Sequence, residues 1–447
     1  MKTNLLRILI IIITCLLALG FTAPTSTSAQ GDVGYKDFGY GTAVAPTADK
    51  PQSKLWYHDG TWWGVLYNST PAVHQYQIYR FSWANQSWTS MNVAVEGRLR
   101  VTYDVLSAGD NLYIASAADI LGSETDTNIY IRSFIYDPTL KTYSPVNNNT
   151  RQITSNALEA VVIDKDTTGR LWLTYTDIGL NLNKNVFITH TSGDTPNWVT
   201  PYVLPVTPGA ADNLNNDDIS TLVAYTEPGA PPKPKIGVMW SNQTNNAVYF
   251  ASHVDGNNDQ IWTMVPALSG PNYADDHLNI KSLQADSAGQ VFAVVKTSLN
   301  SVSVPDPGQP LIILLTLENS GSWSRRTVSQ VKDNHTRPIL LIDEQNRQIY
   351  VFYTMLIGAQ TTGHIYYKQA SLDVPGTQFP DGAGTPFIAL ANDTHINNAS
   401  STKQVLNGTM DLLVIASDDT EKSYYHNVID LAPSSTQYKV LLPLIMR

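Results

Sequence analysis

Apolar and polar residues alternate in short runs along most of the chain, and the runs come in pairs separated by a turn. Lys54–Gly60 is followed by Thr61–Tyr67, Leu99–Tyr103 by Asn111–Ala115, and Glu159–Asp164 by Arg170–Tyr175. Ser220–Tyr225 precedes Lys235–Trp240, and Lys281–Asp286 precedes Gln290–Val295. Pro338–Asp343 precedes Gln348–Tyr353, and Ser401–Val405 precedes Met410–Ile415. A period of two with aromatic and β-branched enrichment predicts strands, and the Gly and Asn between them predict hairpin turns.

A third run follows the pair, as in Gln75–Arg80, Asn128–Arg132, Ala247–Ala251 and His364–Lys368. A fourth often opens on tryptophan, at Trp88, Trp198, Trp262 and Trp323. No long stretch beyond the N-terminal segment carries helical periodicity. Seven units, spaced by about 50 to 65 residues, predict an all-β chain folded as one seven-bladed β-propeller with four-stranded antiparallel blades. Tyr35–Val44 is a spare strand ahead of the first unit, and little chain remains after Lys422–Val428. The N-terminal strand is therefore expected to close the last blade, which removes an open edge. Residues 438–447 compete for that place as a final strand or a tail. Trp56, Trp62, Trp63, Trp172 and Trp240 fall on inner strands and are expected in the core.

The first residues change the setting. Lys2 and Arg7 precede an apolar stretch, and small residues up to Ala29 fit a signal-peptidase site. Residues 1–29 are thus expected to be a signal peptide, residues 30–437 the propeller, and the mature chain secreted or held at the cell surface without a membrane span. The only cysteine, Cys15, lies in that signal, so the mature chain has no disulfide and no thiolate metal site. Without Lys2 and Arg7, 26 basic residues face 38 acidic ones, a net charge of −12. Nucleic acid and anionic membranes need a basic face and are not expected partners. A monomer is expected.

Loops that lead into the innermost strands of a propeller converge on one face of the central channel. Here those segments are polar: Asp49–Gln52, Glu96–Arg98 with Arg100, Asn156–Glu159, Asn216–Asp218, Asp275–His277, Asp333–His335 with Arg337, and Asp393–His395. Recurring aspartates suit turn caps. The histidines recur in three consecutive units only, which points to a local role. A histidine within reach of a proton, oriented by an adjacent acid such as Asp276 or Asp333, has the chemistry of a general base. On this reading the candidate catalytic residues are His277, His335, Arg337 and Tyr57. Candidate substrate-binding residues are Lys50, Lys54, Arg98, Arg100, Glu159, Asp218, Asp276, Asp333 and His395. No resident metal is expected, although the pairs Asp217–Asp218 and Asp275–Asp276 leave calcium open as an oxygen-ligated ion.

Three turns, Ser82–Trp88, Ser252–Gly256 with Trp262, and Glu318–Trp323, resemble degenerate copies of the Asp-box, or BNR, repeat. That repeat reads Ser-x-Asp-x-Gly-x-x-Trp in sialidase-like β-propellers. The resemblance implies the fold and a secreted context. Sialidases also carry an early Arg-Ile-Pro segment, where this chain has Asp49–Lys54, so sialidase activity is not implied. Asp275–His277 and Asp333–Pro338 are similar to segments of a BNR subgroup that includes polysaccharide lyases. Such lyases use His and Tyr to move a sugar proton and positive groups to hold a uronate. The expected function is carbohydrate binding or degradation on extracellular polysaccharide, by a glycoside hydrolase or lyase reaction if catalytic. The alternative is a non-catalytic interaction or structural module that binds a protein or glycan.

Overall fold

The hairpin between the first two inner runs shows how the sequence sets the architecture. Asp59 (φ 48°) and Gly60 (φ 77°) are both left-handed, the geometry whose twist matches paired strands. They join β2 (Leu55–His58) to β3 (Thr61–Asn68), with Trp56 opposite Trp63. A computed structural model describes residues 32–48, 51–70, 72–178, 183–193, 197–282, 290–373 and 379–432. The expected signal (1–29), residues 438–447 and Lys50 lie outside the described residues.

β4 (Gln75–Ser82) and β5 (Ser87–Glu96) complete the first four-stranded antiparallel sheet. The second holds β6 (Val101–Ala108), β7 (Asn111–Ala118), β8 (Ile129–Asp137) and β9 (Thr142–Ile153). The third holds β10 (Val161–Lys165), β11 (Leu171–Ile178), β12 (Lys184–His190) and the short β13 (Tyr202–Val203). The fourth holds β14 (Ser220–Glu227), β15 (Lys233–Asn242), β16 (Ala247–Val254) and β17 (Thr263–Ser269). The fifth holds β18 (Leu278–Ser282), β19 (Val291–Lys296), β20 (Pro310–Leu317) and β21 (Trp323–Gln330).

The remaining strands form one eight-stranded sheet with a natural division. β22 (His335–Asp343), β23 (Gln348–Leu356), β24 (Gly363–Ser371) and β25 (Thr385–Ile388) pair in order. β26 (Ile396–Ser400), β27 (Leu412–Asp418) and β28 (Ser423–Ile429) follow, and the two groups are joined in one sheet where Gly363 pairs Ile396. The N-terminal strand β1 (Tyr35–Gly39) pairs β28 antiparallel, Tyr35 opposite His426, so the outer position beside β28 is filled from the other end of the described chain.

Inner strands of neighbouring sheets are tied by side chains. Asp104, fully buried, accepts from Ser53 N (2.8 Å), Ile163 N (2.9 Å) and Lys403 Nζ (2.6 Å). Asp164 repeats the device with Ala224 N at 2.8 Å, and Asn279 with Leu340 N at 3.2 Å. Lys54 N and Leu55 N reach Ser401 O, joining the first inner segment to the last. Trp56, Trp62, Trp63, Trp172 and Trp240 are all buried, as the pattern predicts. The recurring lead-in aspartates act as turn caps: Asp333 accepts Gln330 N and Asp393 accepts His395 N.

Three inner strands start earlier than the sequence pattern suggests: β18 at Leu278, β22 at His335 and β26 at Ile396. Ser401–Val405 is therefore not a strand but part of the connection to β27. The reason is local chemistry. Ile396–Ser400 reads Ile-Asn-Asn-Ala-Ser, without apolar alternation, because its buried surface is hydrogen-bonded rather than oily: Asn397 Oδ1 accepts from Thr354 Oγ1 at 2.8 Å. In β22 a register shift between Thr336 and Ile339 hides the alternation.

Candidate active site

The turn ahead of β14 divides its two acids between the interior and the surface. Asp218 is fully buried and accepts from Asn215 N (2.8 Å) and Gln243 N (3.1 Å), while its neighbour Asp217 is exposed. Glu159 ahead of β10, Asp217 ahead of β14 and Asp276 ahead of β18 each offer a carboxylate oxygen, and these oxygens lie within 4.8 Å of one another. Three sheets thus converge on one acidic point.

Asp276 also belongs to a second group. Asp275, Asp276 and His277 present ligand atoms within the same 4.8 Å. His277 Nδ1 contacts both carboxylates, and its Nε2 lies 3.4 Å from Thr336 Oγ1 on β22. Lys296 Nζ reaches Asp275 Oδ2 at 2.6 Å. Lys184 donates to Asn216 O and faces Glu159, Asp218 and Asp217; burial pushes its ammonium down, and these acids oppose the shift. An imidazole whose Nδ1–H is held by carboxylates has a fixed tautomer, with Nε2 as the proton acceptor. The cluster therefore joins an oriented imidazole to closely spaced carboxylates, a set suited to proton transfer.

Calcium takes six to eight oxygen ligands. The three carboxylates are of the right donor type but fewer than that, and Lys184 already faces two of them with a positive charge. An acid cluster partly offset by an ammonium describes the site better than a calcium cage.

The other candidate residues are placed elsewhere or enclosed. His335 is 1% exposed and stacks on Tyr353 at 4.0 Å, and neither ring nitrogen has a hydrogen-bond partner. Burial, with Lys368 nearby, pushes its imidazolium down to about 3, so the ring is neutral. Arg337 sits in the β22 irregularity with φ 51°. Tyr57 donates to Thr409 O (2.7 Å) towards the turn end of β2, whereas His277 stands at the leading end of β18; the two are not brought together. Lys54 is fully buried, bonding Gln52 Oε1 and Tyr103 O, with Nζ 3.8 Å from the Tyr103 ring centroid. Arg98 pairs with Glu96 at 2.8 Å and caps the carbonyls of Asp126 and Asn128. Arg100 faces Asp119 at 3.4 Å. Asp333 caps the short turn Val331–Asp333. His395 stands apart with Asp393 and Asp418.

The sequence offers Asp217 and Asp275 only as members of calcium-type acid pairs, and it does not single out Lys184 and Lys296. Asp217 and Asp218 lie in the turn ahead of β14, where no strand period marks which of them is presented. Lys184 comes from the third strand of its sheet, β12, and Lys296 from the second strand of its own, β19, and only pairing brings them beside the lead-ins. A further cavity of about 250 Å³ is lined by Lys281, Lys403, Asp164, Leu106, Val162 and Leu222, all contributed by inner segments.

No family model matches this chain, and no curated protein matches it in sequence. Solved structures do match. A polysaccharide lyase of family PL25, an ulvan lyase bound to -[GlcA(1-4)Rha3S]-, superposes with a TM-score of 0.52 at 11% identity, over 90% of this chain and 96% of that one. An α-L-arabinanase of Penicillium chrysogenum with arabinobiose gives 0.47 at 11% identity, over 76% and 98%. A Trypanosoma rangeli sialidase gives 0.42 at 12% identity, over 74% and 56%. Among the described residues no helix is long and apolar enough to cross a membrane. The described chain is all-β, with five four-stranded antiparallel sheets and one of eight strands, and its fold is similar to that of the PL25 ulvan lyase.

Proposed function

We propose that this chain is a secreted, glycan-degrading enzyme whose acid–base groups are His277, Asp276, Glu159 and Asp217. One observation carries the reading: Asp276 is shared between the imidazole group and the carboxylate group, where the lead-ins of three sheets meet. Closely spaced carboxylates from separate elements are the chemistry of glycoside hydrolysis, in which one carboxyl protonates the leaving oxygen and another attacks or activates water. Four carboxylates (Glu159, Asp217, Asp275, Asp276) against Lys184 and Lys296 make the described cluster acidic. That charge disfavours an anionic sugar at the reacting centre and favours hydrolysis of a neutral one.

The lyase fold-mate supports a glycan substrate, since it holds an oligosaccharide. In the same reading the sheets form one closed seven-bladed ring, with β1 as the outer strand of the last blade and the site on the channel face. The bond from Lys54 N to Ser401 O and the pairing of β1 with β28 support that closure. The apolar N-terminal segment supports secretion.

A polysaccharide panel on the purified chain tests this, read by reducing ends and by the absorbance of unsaturated uronates. Reducing ends without that absorbance, lost in Asp276→Asn and Glu159→Gln, are expected. Unsaturated product lost in His277→Ala would replace hydrolysis by elimination. Turnover indifferent to all three variants would refute the site.

A further inference from the structure

A second cluster lies away from the proposed site, at the sheet that receives the N-terminal strand. Asp418 ends β27 and is fully buried. Its Oδ1 accepts from Thr420 N (2.6 Å) and Glu421 N (3.0 Å), while its Oδ2 is sealed from solvent without any hydrogen-bond partner. A buried carboxylate oxygen left unmatched costs far more than an exposed one.

What faces Asp418 is another acid. Asp393, 8% exposed, accepts from His395 N (3.0 Å) through Oδ1 and from Tyr425 Oη (3.2 Å) through Oδ2. His395 Nδ1 stands 3.4 Å from Asp393 Oδ1. The two carboxylates and the imidazole bring one ligand atom each to within 4.8 Å of one another. Like charges held together at a buried point are relieved by a shared proton, with burial and Asp393 pushing the Asp418 carboxyl up to about 6, or by a positive partner. No lysine or arginine pairs with either carboxylate among the described residues; Lys422 reaches Asp419 instead, at 3.8 Å.

We propose that Asp393, His395 and Asp418 bind one divalent cation of the zinc or manganese type. Two carboxylate oxygens with one imidazole nitrogen suit such ions, whereas calcium prefers oxygen alone. The His395 side chain is 43% exposed, which gives the ion a way in and leaves a coordination position for water. The position also suggests what the ion does. Tyr40 Oη donates to Asp418 O (2.6 Å) and to Asp419 Oδ1 (2.9 Å), and Ala45 N donates to the same Asp419 oxygen (2.9 Å). The cation would fix the corner to which the N-terminal strand is fastened, stabilising the sheet it completes.

The test is calorimetric titration of the chelator-stripped full chain with zinc, manganese and calcium chlorides, paired with thermal melts. One zinc or manganese equivalent is expected, with a higher melting temperature and weaker or no calcium binding. His395→Ala, at an exposed side chain, should keep the circular dichroism of the parent and weaken binding by at least about tenfold. Asp418→Asn should abolish the ion-dependent shift, and Asp276→Asn should leave it intact. Absence of saturable zinc and manganese binding would overturn the proposal, with a shared proton left to reconcile the two acids. Binding unchanged in His395→Ala would overturn it as well, by placing the ion elsewhere.

Discussion

Lys281 is an amine held where an ammonium is unwelcome. It sits on β18, 6% exposed, beside the cavity of about 250 Å³, and the polar neighbour of its Nζ is Ser53 Oγ at a long 3.5 Å. Burial, reinforced by Lys403 and partly opposed by Asp104 and Asp164, lowers its pKa from 10.5 to about 7. Below pH 7 the group is charged in both folded and unfolded chains, and the folded state bears the full penalty. Between pH 7 and 10.5 the unfolded chain binds more protons, so stability rises with pH; above that range the penalty is gone. At 1.36 kcal/mol per pH unit, the ceiling is about 5 kcal/mol. Lys281→Met, which keeps an unbranched side chain without the charge, should therefore stabilise the protein by about 2 to 5 kcal/mol at pH 6, with the gain falling below about 1 kcal/mol by pH 10. Urea unfolding of parent and variant at pH 6, 8 and 10 reads this directly, because other titrations cancel in the difference. A variant that is less stable at pH 6, or a difference that does not change with pH, would refute the reasoning.

Further outcomes follow from other buried groups. Burial works to raise the Glu96 carboxyl, but Arg98 and Arg132 outweigh it and hold it at about 2. Its contribution is present above pH 4.5 and lost as pH falls towards 2. Glu96→Gln should cost about 3 kcal/mol at pH 7 by stranding two guanidiniums, and its acid unfolding should lack that decline, as measured by urea curves at pH 3 and 7. Gly384 has φ 83°, and a Cβ there would overlap Tyr353 Oη and lie 2.6 Å from Tyr367 O. Gly384→Ala should lose about 3 kcal/mol, seen as a lower urea midpoint at unchanged slope. Tyr103 Oη bonds Val65 O (2.8 Å) and Pro46 O (3.0 Å) in the core. Tyr103→Phe should lose about 1 to 2 kcal/mol, checked in the same assay.

The strands rich in aromatic and aliphatic residues could be found from the sequence, and the polar ones could not. β3, β11, β15 and β23 are buried along most of their length, and burial on both faces writes continuous aromatic and aliphatic runs into them. β26 is held by Asn and Ser side chains, and such bonds leave no period to read. The N-terminal strand could be anticipated because the last unit lacked an outer strand, and β1 pairs β28. At the site, the lead-ins were legible as a polar class, and His277 and Asp276 stood out within it. The choice of Asp217 over Asp218 depended on which of two adjacent acids turns inward to cap Asn215 and Gln243. The burial of Lys54 and His335 depended on partners from other strands, Tyr103 and Tyr353, and sequence distance conceals those contacts.

The central claim is that the acid cluster around Asp276 performs chemistry on a glycan. The most direct measurement is the rate of reducing-end release from the best substrate of a polysaccharide panel, for the parent chain and for Asp276→Asn matched in thermal stability. The account predicts a loss of at least about 100-fold in kcat, since removing a positioned acid–base group forfeits 10²- to 10⁴-fold. A folded Asp276→Asn chain with the parent rate would contradict it.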